Sequence, residues 1–97
     1  MYRQGDLLFI KHDGSPKGIE MKEKIILCSS MTGHSHRISR GIVFDNRNNS
    51  DRDRASFYVS IPEGGARLLH EEHTTIDLPE GVYAVRRQME VTGYVED

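Results

Sequence analysis

The chain has no tryptophan, one cysteine, no excess of charge of either sign and no long hydrophobic run. Each absence excludes something. Without tryptophan, the larger core members must come from Leu, Ile, Val, Phe and Tyr. The single Cys28 cannot form an internal disulfide, which fits a reducing compartment. No apolar run approaches the ~20 residues that a membrane helix needs. The opening Met1-Tyr2-Arg3-Gln4-Gly5-Asp6 lacks the apolar core of a signal peptide. A soluble, cytoplasmic protein with no membrane partner is the expectation. Thirteen Lys and Arg stand against fifteen Asp and Glu, a net charge of −2, so no global basic field advertises nucleic acid. There is also no P-loop, no Gly-x-Gly-x-x-Gly and no Gly-x-Ser-x-Gly elbow.

What the chain does have is a succession of short β-favouring runs between turn signals. Ninety-seven residues suit a single domain over 1–97. Asp6-Leu7-Leu8-Phe9-Ile10 closes at the turn cluster Asp13-Gly14-Ser15-Pro16. Lys24–Cys28, Gly41–Phe44, Ala55–Ile61, Ala66–His70, Thr75–Leu78 and Val82–Val91 are further strand candidates, and Thr92–Val95 adds a terminal one. Phe57, Val59 and Ile61 share one face of theirs. Residues 45–54, Asp45 to Arg54, carry no apolar side chain and are expected to form an exposed polar loop. No long amphipathic helix is evident. Seven to nine short strands predict an all-β fold, a small β-barrel or a two-layer β-sandwich.

Four of the five histidines fall into two tight pairs, His34 with His36 and His70 with His73. In an extended segment His34, His36 and Ile38 share one parity, so both rings face the core side with Ile38. His70 and His73 converge if the backbone turns between them. Neutral imidazole is the commonest protein ligand for divalent metals, zinc first. One fold-assembled site is therefore expected, with His34, His36, His70 and His73 as ligands to a divalent metal ion. Glu71 and Glu72 are the candidate catalytic carboxylates that would activate water. Arg37, Arg86 and Arg87 are candidate substrate contacts for an anionic group, since a strand sets Arg86 and Arg87 on opposite faces. The implied activity is a hydrolase acting on a phosphate-containing or nucleotide-like substrate. The competing reading is a non-enzymatic binding or assembly module, a homodimer through edge strands, in which the histidines form a structural hydrogen-bond network.

Gln4-Gly5-Asp6, Thr32-Gly33-His34-Ser35-His36, His70-Glu71-Glu72-His73 and Leu78-Pro79-Glu80-Gly81-Val82-Tyr83-Ala84-Val85-Arg86-Arg87-Gln88, in that order, resemble a family of small uncharacterised proteins from prokaryotes and their viruses. The resemblance spans Gln4 to about Glu90. Its members typically follow the Arg-Gln pair with a basic residue, Glu and Tyr; here Met89, Glu90 and Val91 keep only the glutamate. The resemblance supplies no reaction, but it implies that the two histidine pairs belong to one recurring pattern. His-x-His and the later Pro-x-Gly turn are also similar in part to cupins, which are metal-binding β-barrels. The departures are Ser39, Arg40 and Gly41 where a cupin carries glutamate, and histidines that precede Pro79 rather than follow it.

Overall fold

The computed structural model describes residues 1–28, 34–48, 55–87, 89–90 and 93–94. Twelve strands are found among them, in chain order β1 (Tyr2–Gln4), β2 (Leu7–Lys11), β3 (Ile19–Glu20), β4 (Ile25–Cys28), β5 (Ser35–Ile38), β6 (Ile42–Asp45), β7 (Phe57–Ile61), β8 (Ala66–Leu69), β9 (Ile76–Leu78), β10 (Gly81–Arg87), β11 (Met89–Glu90) and β12 (Gly93–Tyr94). They form a six-stranded sheet in the order β1-β2-β10-β7-β6-β3, a four-stranded sheet in the order β4-β5-β8-β9, and the small β11-β12 pair. Each pairing is antiparallel. The two larger sheets pack together as a β-sandwich. A closed barrel is not formed, so that half of the sequence expectation is corrected. The reason lies in the ladders, which end at β1 and β3 on one sheet and at β4 and β9 on the other.

The core follows from period-two alternation. Phe9 lies opposite Val85, and Val85 opposite Phe57. Tyr83, Val59 and Val43 make a second cross-strand row. All six are at most 3% exposed. Such rows place β-branched and aromatic side chains in direct contact on one face of the sheet. The four-stranded sheet answers with Ile26, Ile38, Ala66, Leu68 and Leu78. Pro79 and Glu80 carry the chain from β9 in one sheet to β10 in the other, and the Tyr83 hydroxyl donates to the Pro79 carbonyl at 2.8 Å.

The sequence reading places most of these strands within a residue or two, but not β1 or β3, and it takes the β5 segment as extended only conditionally. β1 is three residues with one apolar side chain, and β3 has two residues, both exposed. The segment expected as one long strand over 82–91 is divided into β10 and β11. Of the polar loop expected over 45–54, residues 49–54 lie outside the described residues. Asp45 belongs to β6, and Asn46 is buried, its amide donating to the Ala55 carbonyl at 2.9 Å. No helix among the described residues is long and apolar enough to cross a membrane.

Leu68 is fully buried on β8 in the face of the four-stranded sheet that packs on the other. Truncation there leaves a cavity between the sheets. Leu68→Ala is expected to lower the unfolding free energy by about 2–5 kcal/mol, read from the shift in urea midpoint at constant slope.

Candidate functional site

Two hairpins meet at the site. The first is β1–β2, whose register pairs Gln4 with Leu7 and leaves Gly5-Asp6 as a two-residue turn. Such a turn needs a left-handed residue, and Gly5 supplies it with φ of 59°. Gly5 answers a second requirement. A Cβ there would stand 2.7 Å from His73 Nε2 and 3.3 Å from His36 Cε1, so the missing side chain is the space the two rings occupy. The second hairpin is β8–β9, whose loop carries His70-Glu71-Glu72-His73. β5 lies beside β8 and brings His36.

The two histidine pairs do come together. Ring centroids are 4.4 Å apart for His36 and His70, 4.5 Å for His70 and His73, 5.7 Å for His34 and His70, and 6.1 Å for His36 and His73. As parity predicts, His36 and Ile38 both point inward, and His36 is 5% exposed. The fifth histidine, His12, is elsewhere, edge-on to the Tyr58 ring.

The metal reading is nevertheless corrected. Among the described residues no group of three or more His, Cys, Asp or Glu side chains is placed to hold a metal ion. A metal needs lone pairs aimed at one point about 2.0–2.1 Å from each nitrogen. Here the rings meet as tilted, stacked and edge-to-face pairs, and several nitrogens serve neighbours instead. The Gln4 amide donates through Nε2 to the carbonyls of Leu68 and Thr74, at 3.1 and 2.9 Å. That fixes its Oε1 as the acceptor, 2.9 Å from His36 Nδ1, so His36 carries its proton on Nδ1. His36 Nε2 is then the unprotonated nitrogen, 3.8 Å from Asp6 Oδ1. His70 Nδ1 accepts the Glu72 backbone N–H at 3.0 Å, and His34 Nδ1 pairs with Glu72 Oε1 at 3.1 Å. The divalent metal cofactor falls on this geometry. The metal-activated hydrolase, which needed that ion to make its nucleophile, falls with it.

Electrostatics keep His36 and His70 neutral near pH 7. Burial comes first in pulling His36 down to about 4, followed by the neighbouring His70; Asp6 and Glu71 oppose the shift and His73 adds to it. His70 is lowered too, by desolvation and then by His73. The two adjacent glutamates differ. Glu71 accepts the Ser35 backbone N–H at 2.9 Å and the Arg37 guanidinium at 2.6 Å. The Ser35 bond leads the causes that hold its carboxyl at about 2. Glu72 is two-thirds exposed on its bond to His34.

Of the arginines, Arg37 lies beside the cluster through Glu71, and Arg87 donates from Nε to Asp6 Oδ2 at 2.8 Å. Arg86 takes the other face of β10, as alternation requires, and is exposed. Sequence reasoning assigned no role to Gln4 or Asp6, although both are buried polar residues at the centre of the site. The signal was present as Gln4-Gly5-Asp6, a polar-Gly-polar turn next to an apolar strand. Two surface hollows of about 760 and 400 Å³ lie elsewhere, the larger walled by Arg40, Arg67, Asp77 and Glu80, and no paired histidine lines either.

Gln4 holds three polar groups at once, two of them backbone carbonyls. Gln4→Ala strips the partners from the Leu68 and Thr74 carbonyls and from His36 Nδ1. A loss of about 1–3 kcal/mol is expected, together with a displaced His36 Nδ1 resonance in imidazole nitrogen spectra. An unmoved His36 signal would contradict the assigned bond.

No curated protein and no solved structure matches the chain. Over residues 3–88 it matches the family described as a domain of unknown function, DUF8820, and that span places this chain in the DUF8820 family.

Proposed function

We propose that the chain is a single β domain working as a non-enzymatic binding or assembly module, with the histidine cluster as a polar latch between its two sheets. The observation that carries this reading is how the chemically capable atoms are employed. Gln4, from the six-stranded sheet, bonds β8, the β8–β9 loop and His36 of the four-stranded sheet. Glu71 caps the start of β5 and grips Arg37. A carboxyl held at about 2 is a poor proton acceptor near neutrality. Arg87 is committed to Asp6 across the six-stranded sheet. These groups are joined to one another, which favours a structural task over turnover.

A latch that keeps His36 and His70 neutral should open in acid. His36 has a folded value of about 4 against about 6.5 when unfolded. Above 6.5 both states are neutral, and the stabilising difference is fully present. Between 6.5 and 4 the unfolded chain binds more protons, so stability falls as pH falls through that window. The His36 contribution is about 3 kcal/mol in total. His70 acts in the same direction. Glu71, lowered from 4.5 to about 2, adds a loss that begins only below 4.5. Thermal melts from pH 7.5 to 4 should show Tm dropping below about pH 6.5, and His36→Gln should flatten that slope. EDTA should leave Tm unchanged at pH 7.5. A flat profile over this range, or a Tm lowered by the chelator, would sink the latch.

A further inference from the structure

The end of the sandwich away from the histidine cluster holds two cations that no carboxylate answers. β5 starts at Ser35 beside the cluster and ends at Ile38, so Ser39 and Arg40 emerge at its far end. β8 runs the other way, entering from Gly64-Gly65 and ending just before His70. The Ser39 N–H donates to the Arg67 carbonyl, and the Arg67 N–H donates to Ser39 Oγ, both at 2.9 Å. These bonds carry the β5–β8 pairing one residue further and fix where Arg40 leaves it. Arg40 then reaches over the turn that precedes β8, where Nη1 and Nη2 donate to the carbonyls of Gly65 and Glu63, both at 3.3 Å. Those bonds are long, and they employ two of the five guanidinium donors. A Cβ at Gly64 would stand 3.1 Å from Arg40 Nη1, so the glycine leaves the guanidinium uncovered on that side.

The two surface hollows meet at this residue, since Ser39 and Arg40 line both. The smaller, about 400 Å³, adds Lys24 and the apolar wall of Ile42 and Pro62. Ile42 is 40% exposed. Among the described residues no carboxylate lies within ion-pair distance of Lys24 or Arg40. The larger, about 760 Å³, continues along Gly64 and Gly65 to Asp77 and Glu80. The two chambers therefore ask for different things. The first suits one anionic group joined to an apolar one; a bare, hydrated phosphate would leave its apolar wall unused. The second, with two carboxylates in its lining, repels a polyanion such as a nucleic-acid strand. We propose that the joined hollows bind the C-terminal end of a polypeptide partner. Its terminal carboxylate sits between Arg40 and Lys24, and its last side chain, apolar, lies on Ile42 and Pro62. The residues before it run through the larger hollow and bring a basic side chain to Asp77 and Glu80. Guanidinium–carboxylate bonds are among the strong ones, and capture of a chain terminus is a recurring mode of peptide recognition.

The site names a partner for the binding module proposed above, and it rests on that reading. Its failure is distinguishable from failure of the latch, because binding is read at pH 7.5 and the latch by melting in acid. The probe is a hexapeptide labelled at its N-terminus, ending in leucine with a free carboxyl group and carrying lysine at its third position. Fluorescence anisotropy with the full chain should show saturable binding. The same peptide with a C-terminal amide should bind about tenfold more weakly or worse, since it loses a charge-assisted bond. Arg40→Gln should weaken the free acid to a similar degree, and Lys24→Gln by about two- to fivefold, as suits an exposed cation. The Lys24 ammonium has no partner among the described residues, so that variant reads charge without disturbing the turn that Arg40 holds. Unchanged melting curves would confirm that both variants are folded. No binding up to millimolar protein overturns the proposal, as does equal affinity for acid and amide. Displacement by N-acetyl-leucine at the same concentration as unlabelled peptide also overturns it, because the site would then take a small acid rather than a chain end.

Discussion

One buried amide holds the two sheets in register at their polar end. Gln4 is 2% exposed and uses both its donor and acceptor faces, on two backbone carbonyls and on His36. A buried polar group that lost these partners would cost more than each bond contributes when made. The position of β1 against β8 and β9, the tautomer of His36 and the closeness of the rings all depend on that side chain. Gly5 supports the arrangement from the other side, because a side chain at that point would enter the space of His73 and His36. The Gln4-Gly5-Asp6 turn is therefore one device with three parts. Gln4 locks the ring, Gly5 makes room for it, and Asp6 faces its unprotonated nitrogen and holds Arg87.

Much of the framework is legible in the sequence because it rests on short-range patterns. Alternation in Phe57-Tyr58-Val59-Ser60-Ile61 and in His36-Arg37-Ile38 identifies strands and inward faces, since those side chains do meet the core. Tyr58 is the exception. It sits on the opposite face from Phe57 and Val59, yet is 1% exposed and contacts His12. Alternation names two faces; it does not say whether the second is also covered. β3 escapes sequence reasoning for a related reason, since two exposed residues carry no burial pattern and pair only because β6 is there to receive them.

The site is legible at one level and opaque at the next. Two histidine pairs on a strand and in a turn suggest convergence, and the rings converge. Spacing places rings but does not aim their lone pairs. That aim is set by long-range bonds, such as Gln4 to His36 across 32 positions and Ser35 to Glu71 across 36. The expectation of a metal fails at this step. A similar limit applies to the glutamates. Glu71 and Glu72 look interchangeable in sequence, but one is fixed by a backbone N–H and an arginine, while the other stays largely exposed on His34.

The neutrality of His36 follows from competition within a small volume. Asp6 and Glu71 both favour a charged His36, and in water either would raise its proton affinity. Burial of the ring outweighs them, and His70 and His73 add further opposition. The two carboxylates are also partly spoken for, because Arg87 compensates Asp6 and Arg37 compensates Glu71. Pairing each acid with its own arginine lowers the potential available to an imidazolium. His36 and His70 can then sit with ring centroids 4.4 Å apart without the repulsion that two charged rings would bring. The arrangement has a consequence for its acid response. A proton on either His36 or His70 makes the other harder to protonate, so the pair takes up its protons over a broad range rather than in one step. A latch built in this way loosens gradually on acidification.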